Sequence, residues 1–364
     1  MKYKVYATDE GFGPLIRQGA IYKELKRLCP EIQIILQTKN HIKQVPWVIP
    51  DAKLITKYNL VSWAKKEDGS PDIQAIKDHF ENYNSLSNDF ISNEISDSEE
   101  FSFIVSDFVY EAFEIGSKTK TPVYGTSHFV WDWFFSKIYP TPVSTRTLRL
   151  WENYARQAKM LFFPPFTPQE ILGNYDSIIK NVPFIVREGK GLSPEFTFSS
   201  SSKKRVMILD SGSRVLHGSI RKLLDEVDDF DNIHFYVSNQ FQSESENITI
   251  IPQGQLIVDW IPYMDLVISR GGYNTISECL FSRTPMLLFS ENLNPEMDFN
   301  LLTLKNEGLA TFISMDRFRK NFKGTIYSFF ENEYDLVKKN IEEHDYKFNG
   351  AEVIAETILN DMKA

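Results

Sequence analysis

The sequence predicts an α/β protein built as two parallel-sheet domains. Three observations carry that reading. Short apolar strands alternate with amphipathic helices from the first residues onward, the rhythm of a parallel sheet covered by helices on both faces. A polar, serine-rich stretch at 193–204, SPEFTFSSSSKK, interrupts the rhythm, which then restarts. The length of 364 residues exceeds the roughly 250–300 at which single cores stop growing. The expected organisation is an N-terminal domain at 1–192, a linker at 193–204, a second domain at 205–345, and a closing helical segment at 346–364 that packs back on the first domain.

In the first half, KVYAT reads as a buried strand, and PLIRQGAIYKELKRL places Leu15, Ile16, Ile21, Tyr22, Leu25 and Leu28 at helical spacing. EIQIILQT is a second strand. DIQAIKDHFENYNSLSNDFISNEI repeats apolar residues at Ile73, Ile76, Phe80, Tyr83, Leu86 and Phe90, a long amphipathic helix. FSFIVS is a strand ending at Asp107, YEAFEIGSK a short helix, and TPVYGTS a strand ending near His128. Parallel sheets bind ligands beyond the carboxyl ends of their strands, so Asp9, Glu10, Asp107 and His128 are expected to converge.

In the second half the strands are RVMILD, IHFYVS, ITIIP, DLVIS and PMLLFS, with helices at SIRKLLDEV and TISECLF. GAEVIAETILNDM forms the last helix, with Val353, Ile354, Ile358 and Leu359 on one side.

Composition narrows the class. A net charge of −9 argues against a general nucleic-acid binder, which needs a basic face. Cys29 and Cys279 both lie in apolar-periodic segments, so a disulfide framework is not expected and a reducing cytoplasm is. The start of the chain has no leader-like apolar region and no 18-residue apolar stretch occurs, so no membrane span is expected. His41, His79, His128, His217, His234 and His344 show no metal-ligand spacing, and neither a metal nor a cofactor is expected.

Three turns carry the chemistry. In DLVISRGGYNTISECLF a strand ends at Arg270, Gly271 and Gly272 permit a close backbone approach, and a helix is expected to begin near Thr275. Its N-terminus is a natural anion site. Thr275 and Glu278 fit a capping box, and Glu278 equally fits an acceptor for a ribose diol. Arg270 fits either a phosphate contact or a salt bridge at the strand end. The turn at Ser211, Gly212 and Ser213 suits a diphosphate but lacks the ending of a P-loop. The opening loop TDEGFGPLIRQGA is not a dinucleotide fingerprint, because Ile16 stands where the third glycine belongs. Pro14 fits the first helical position, and Gly11, Gly13 and Arg17 would overlook a cleft.

These residues resemble a family. The tract from Asp259 to Ala310 is similar to the donor-sugar domain of two-domain (GT-B) nucleotide-sugar glycosyltransferases, above all the branch of the peptidoglycan lipid II GlcNAc transferase. The pattern is carried by Arg270-Gly271-Gly272, Thr275-Ile276-Ser277-Glu278, Pro285, and NPEMDFNLLTLKNEGLA with Asn300, where the family shows a segment ending in Asn before a helix. RGGYNTISECL and HFVWDWFF also resemble the glycosyltransferase-like half of L-arabinokinases, without the kinase half.

The resemblance implies two Rossmann-like domains facing across a cleft, and a metal-independent transfer from a nucleotide-diphosphate donor, a UDP-sugar, to a hydroxyl acceptor. The acceptor would be a glycan, a lipid-linked sugar or a small molecule. The products would be a cell-surface glycan or a modified small molecule. It implies that Glu278 holds the ribose hydroxyls, that Ser211, Gly212, Ser213, Arg270, Gly271, Gly272, Asn274 and Thr275 surround the diphosphate, and that Glu296 and Asn300 lie by the sugar. Met297 stands where relatives carry a glutamine amide. Pro14 stands where relatives carry a histidine of the catalytic cleft, so the general base is expected elsewhere, at His128, then Asp107 or Glu10, with Asp9 and Asp132 behind them. The aromatic run Phe129–Phe135 reads first as a buried helix start. If exposed, Trp131 and LFFPPF would hold an apolar acceptor at the inner face of the membrane. A nucleotide-sugar hydrolase or epimerase, or a binding protein that has lost its base, are the alternatives on the same fold.

Overall fold

In the structure, a computed structural model describing residues 1–60, 63–66, 70–97, 100–192, 198, 203–209, 217–238, 241–252, 255–291 and 293–363, the chain divides into two units. Unit 1 comprises Met1–Val186 and Lys347–Ala364, and unit 2 comprises Arg187–Tyr346. The first border precedes the serine-rich stretch, most of which lies outside the described residues.

Unit 1 runs β1 (Lys2–Ala7), α1 (Gly13–Leu28), β2 (Gln33–Gln37), α2 (Val45–Val48), β3 (Lys53–Ile55), α3 (Ile73–Ser96), β4 (Phe103–Asp107), α4 (Tyr110–Thr119), β5 (Val123–Thr126), α5 (Trp131–Ile138), α6 (Pro142–Ala155), β6 (Met160–Phe163), α7 (Gln169–Asn174) and β7 (Ile179–Asn181). The strands form a parallel sheet in the order β3-β2-β1-β4-β5-β6-β7. β1 and β4 are buried along nearly their whole length, which is why they read as apolar runs rather than alternating ones. The order reverses direction between β1 and β4, where Ala7 pairs with Asp107.

Unit 2 runs β8 (Lys204–Ile208), α8 (His217–Glu226), β9 (Ile233–Val237), β10 (Ile248–Ile250), β11 (Leu266–Arg270), α9 (Tyr273–Phe281), β12 (Met286–Phe289), α10 (Pro295–Glu307), β13 (Thr311–Phe312), α11 (Met315–Lys320), α12 (Phe322–Asn332) and α13 (Tyr334–Glu343). Its parallel sheet has the order β10-β9-β8-β11-β12-β13 and reverses between β8 and β11. α14 (Gly350–Asp361) belongs to unit 1, where Ile354, Ala355, Ile358 and Leu359 join the core formed by α1 and β1.

Both aromatic runs are core. Trp131, Trp133, Phe134 and Phe135 of α5 are buried, with Trp63, Phe80 and Trp151 packed around Phe134 and Phe135. Leu161, Phe162 and Phe163 are buried in β6, between β5 and β7, and Phe166 is buried after it. Neither run offers the exposed apolar surface that an acceptor or membrane contact through them would need. No described helix is long and apolar enough to cross a membrane.

Candidate functional site

Each sheet has one switch point, where chains leave neighbouring strands in opposite directions and a crevice opens beyond the carboxyl ends. In unit 1 the crevice lies beyond β1 and β4. Gly11 sits there at φ +69°, a left-handed conformation that explains the glycine. α1 then begins at Gly13, so Pro14 is its second residue and still within the first turn, where a missing N–H costs nothing.

One turn into α1, Arg17 points back at Asp107. Its Nη2 donates to Asp107 Oδ1 at 2.7 Å and its Nε to Oδ2 at 2.8 Å, a bidentate pair. Gln18 Nε2 donates to Oδ2 at 3.1 Å. Arg17 and Asp107 are only 3% and 2% exposed. Arg17 Nη1 also lies 3.4 Å from His128 Nδ1. A guanidinium only donates, so a hydrogen bond across this contact requires the lone pair of Nδ1.

Two expectations are corrected by this geometry. Both Asp107 oxygens are committed to Arg17 and Gln18, so Asp107 is a positioning residue rather than a base. His128 is 5% exposed and its Nδ1 faces Arg17, so it sits inside the network rather than open to an acceptor. Arg17 is a buried cation inside the network and does not overlook an open loop.

Glu10 differs. It is half-buried, its Oε1 accepts from the Trp63 backbone N–H at 2.8 Å, and desolvation pushes its carboxyl up to about 7, partly offset by that hydrogen bond and Lys65. Asp9 is a loop anchor. It accepts from Thr38 Oγ1 at 2.7 Å, from the N–H groups of Lys39 and Asn40 at 2.7 and 2.9 Å, and from that of Asn59 at 3.2 Å. Asp132 is buried against Tyr110 and Tyr175, and burial pushes it up to about 6. With Trp131 equally buried, neither is placed to touch an acceptor.

In unit 2 the crevice lies beyond β8 and β11. Ser211, Gly212 and Ser213 lie outside the described residues. β11 ends at Arg270, which pairs with Glu291, so the strand-end salt bridge is the reading the structure shows. Gly271 follows against α10. A Cβ there would stand 2.9 Å from Leu301 Cδ2, so any larger residue would have to displace that side chain.

α9 begins at Tyr273, two residues before the expected start, with Gly272 at the cap position and no side-chain cap. Thr275 is therefore inside the first turn, and the capping-box reading of Thr275 and Glu278 falls. Ser277 Oγ donates to the Asn274 carbonyl at 2.9 Å, steadying that turn. Glu278 is free of a capping duty. Desolvation pushes its carboxyl up to about 8, and Arg187 is the charge that pulls it back. Burial in turn lowers the Arg187 guanidinium, while Glu278 and Asp259 hold it charged. Asp259 also fixes the segment carrying Arg187, accepting from the N–H of Gly191 at 3.0 Å and from that of Lys190.

α10 closes the other side. Asn294 caps it by accepting from Met297 N–H at 3.1 Å. Asn300 therefore lies within the helix, not before it. It is 0% exposed, and its Nδ2 donates to the Gly271 carbonyl at 2.9 Å, pinning the glycine turn rather than presenting itself to a sugar. Glu296 is half-buried and 3.5 Å from the same Nδ2, while Met297 is core. Among the described residues, no cluster of three His, Cys, Asp or Glu side chains is placed to hold a metal ion.

Residues 231–358 match the model of the glycosyltransferase family 28 C-terminal domain, and the match takes in β11, the glycine turn, α9 and α10. Over the whole chain, solved structures share the fold. Spinosyn forosaminyltransferase SpnP aligns over 100% of this chain and 100% of its own, at 12% identity and a TM-score of 0.65. Spinosyn rhamnosyltransferase SpnG, complexed with thymidine diphosphate, aligns over 99% and 100%, at 13% identity and a TM-score of 0.66.

The chain has the GT-B fold. MurG of Acinetobacter baumannii shares it, over 99% of both chains at 11% identity and a TM-score of 0.59. No curated protein matches the chain in sequence. Within this GT-B chain, two residues near the candidate donor site were not foreseen. Arg187 sits in REGKG, which has no periodicity to mark it, and Glu291 follows a strand end with only its charge as a signal.

Proposed function

We propose that the protein is a glycosyltransferase that moves a sugar from a UDP-sugar to a hydroxyl acceptor without a metal. The observation that carries the reading is the place of Glu278, half-buried one turn beyond the uncapped start of α9 and the Arg270-Gly271-Gly272 turn, where the charge of Arg187 favours its carboxylate. A carboxylate there accepts from both ribose hydroxyls. The helix start and Arg187 balance the diphosphate charge that grows as the leaving group departs.

In the transfer, the acceptor oxygen attacks the anomeric carbon. The bond from that carbon to the β-phosphate oxygen breaks, and UDP leaves. Glu10 takes the acceptor proton, since its carboxyl, raised to about 7, is matched to neutral pH. The reading includes a reducing, cytoplasmic setting, in keeping with the free thiols of Cys29 and Cys279. One observation favours a second reading, in which the donor binds but no transfer follows: Arg17 holds both Asp107 and His128.

Calorimetry with UDP, GDP and dTDP tests the donor site. UDP should bind roughly tenfold or more tightly than dTDP, because the deoxyribose removes one hydrogen bond to a charged group. Equal affinity would remove the role given to Glu278. Turnover of a UDP-sugar with an acceptor panel tests the chemistry. Glu10→Gln should lower kcat by about 100-fold or more with little change in KM. An unchanged kcat would remove the base, and UDP binding without any turnover would favour the second reading.

A further inference from the structure

Away from both switch points, α6 presents a polar stripe to an open groove. Thr145, Arg146, Arg149, Leu150 and Asn153 recur at intervals of three and four, which puts them on one face over about 12 Å of helix. With Asn84 of α3 opposite, they line a groove of about 800 Å³ within unit 1. It shares no residue with the Arg17, Asp107 and His128 network or with the candidate donor site.

The charge in this groove is unbalanced. Arg146 and Arg149 are exposed, and neither guanidinium has a hydrogen bond or ion pair among the described residues. No carboxylate lines the groove. The nearest acids along the same helices are engaged elsewhere: Glu152 holds Arg156 at 2.7 Å, and Glu81 lies 3.8 Å from Lys77. Two like charges three residues apart repel, which a helix tolerates best when an anion lies between them. On a chain of net charge −9, two adjacent unpaired arginines in a concave site are an exception.

The chemistry of the lining defines the ligand. Two guanidinium forks match the oxygens of a phosphoryl group in bidentate fashion. Asn84, Asn153 and Thr145 supply uncharged donors and acceptors for hydroxyls, and Leu150 with the flanking prolines gives an apolar floor. We propose that this groove is a binding site for a phosphate monoester or diphosphate carried on a hydroxyl-bearing body. It stands independently of the donor-site reading.

The test compares wild type with an R146Q/R149Q variant and an R146K/R149K control, each shown to be folded by its thermal midpoint. The probes are glycerol 3-phosphate, by calorimetry, and phosphatidylcholine vesicles with and without phosphatidic acid, by flotation. Wild type should bind glycerol 3-phosphate saturably, the glutamine pair about tenfold or more weakly, and the lysine pair within a few-fold of wild type. If only phosphatidic acid vesicles are bound, and the glutamine pair releases them, the site stands and its source is a lipid headgroup. Absence of wild-type binding to both probes, or binding that the glutamine pair retains in full, overturns the proposal. Such an outcome leaves UDP binding in unit 2 untouched.

Discussion

The two sheets of this protein repeat one topology and use its switch point in opposite ways. Beyond β1 and β4, charge is neutralised inside the fold: Arg17, Asp107, Gln18 and His128 satisfy one another and are nearly inaccessible. Beyond β8 and β11, charge is left uneasy. Glu278 is half-buried with its carboxyl raised to about 8, and Arg187 compensates only part of the cost of desolvation. The same crevice can therefore serve as a structural lock or as a receptor. What separates them is whether the fold itself supplies every hydrogen bond the charged groups need.

The comparison is broken most sharply at Asp107. Asp107→Asn leaves the Arg17 guanidinium buried without its counter-charge and should destabilise the protein by about 3–5 kcal/mol in chemical denaturation. Glu278→Gln removes a charge that is already disfavoured, so at pH 8 its unfolding free energy should match or exceed that of wild type. If the two variants lose similar stability, the contrast between the switch points is wrong.

Glu111 sharpens the comparison with a carboxyl that belongs to neither site. It is fully buried on α4, one oxygen takes the Tyr83 hydroxyl, and the other has no partner. Desolvation pushes it from 4.5 up to about 7. A raised carboxyl is protonated in the fold when it would be charged in the unfolded chain, so stability is lost as pH rises from about 4.5 through 7. Glu111→Gln should therefore stabilise by up to about 3 kcal/mol at pH 8 and by almost nothing at pH 4. A pH-independent effect would show that the carboxyl titrates normally.

Much of the fold was legible because buried parallel strands announce themselves as apolar runs. KVYAT, FSFIVS, IHFYVS and DLVIS each fall within a residue or two of an observed strand. β3, β7 and β13 were not read, being only 3, 3 and 2 residues long and carrying no pattern, and β6, four residues long, was read only as part of an aromatic run. The glycine turn at Gly271 was legible as a place where backbone comes close. The start of α9 was not, because Gly272 and Tyr273 give no cap signal while Thr275 gives a false one. Asn294-Pro295 did carry a helix start, a capping Asn followed by Pro, and taking Asn300 as preceding the helix passed over it. The Arg17 lock was legible only in part: Asp107 and His128 were expected to converge beyond the strand ends, but not to be held there by Arg17. Its partners lie 90 and 111 residues away, and they meet only through the pairing of β1 with β4 and the course of the chain after β5.

The most direct test of the central claim is a calorimetric titration of UDP against wild type and Glu278→Gln from pH 6 to 9. If Glu278 receives the ribose as a carboxylate, wild-type affinity should rise about ten- to hundredfold as pH climbs toward 8 and then level off. The glutamine variant should bind more weakly, with a shallower profile. Parallel profiles in the two proteins, or no UDP binding by wild type at any pH, would contradict the account.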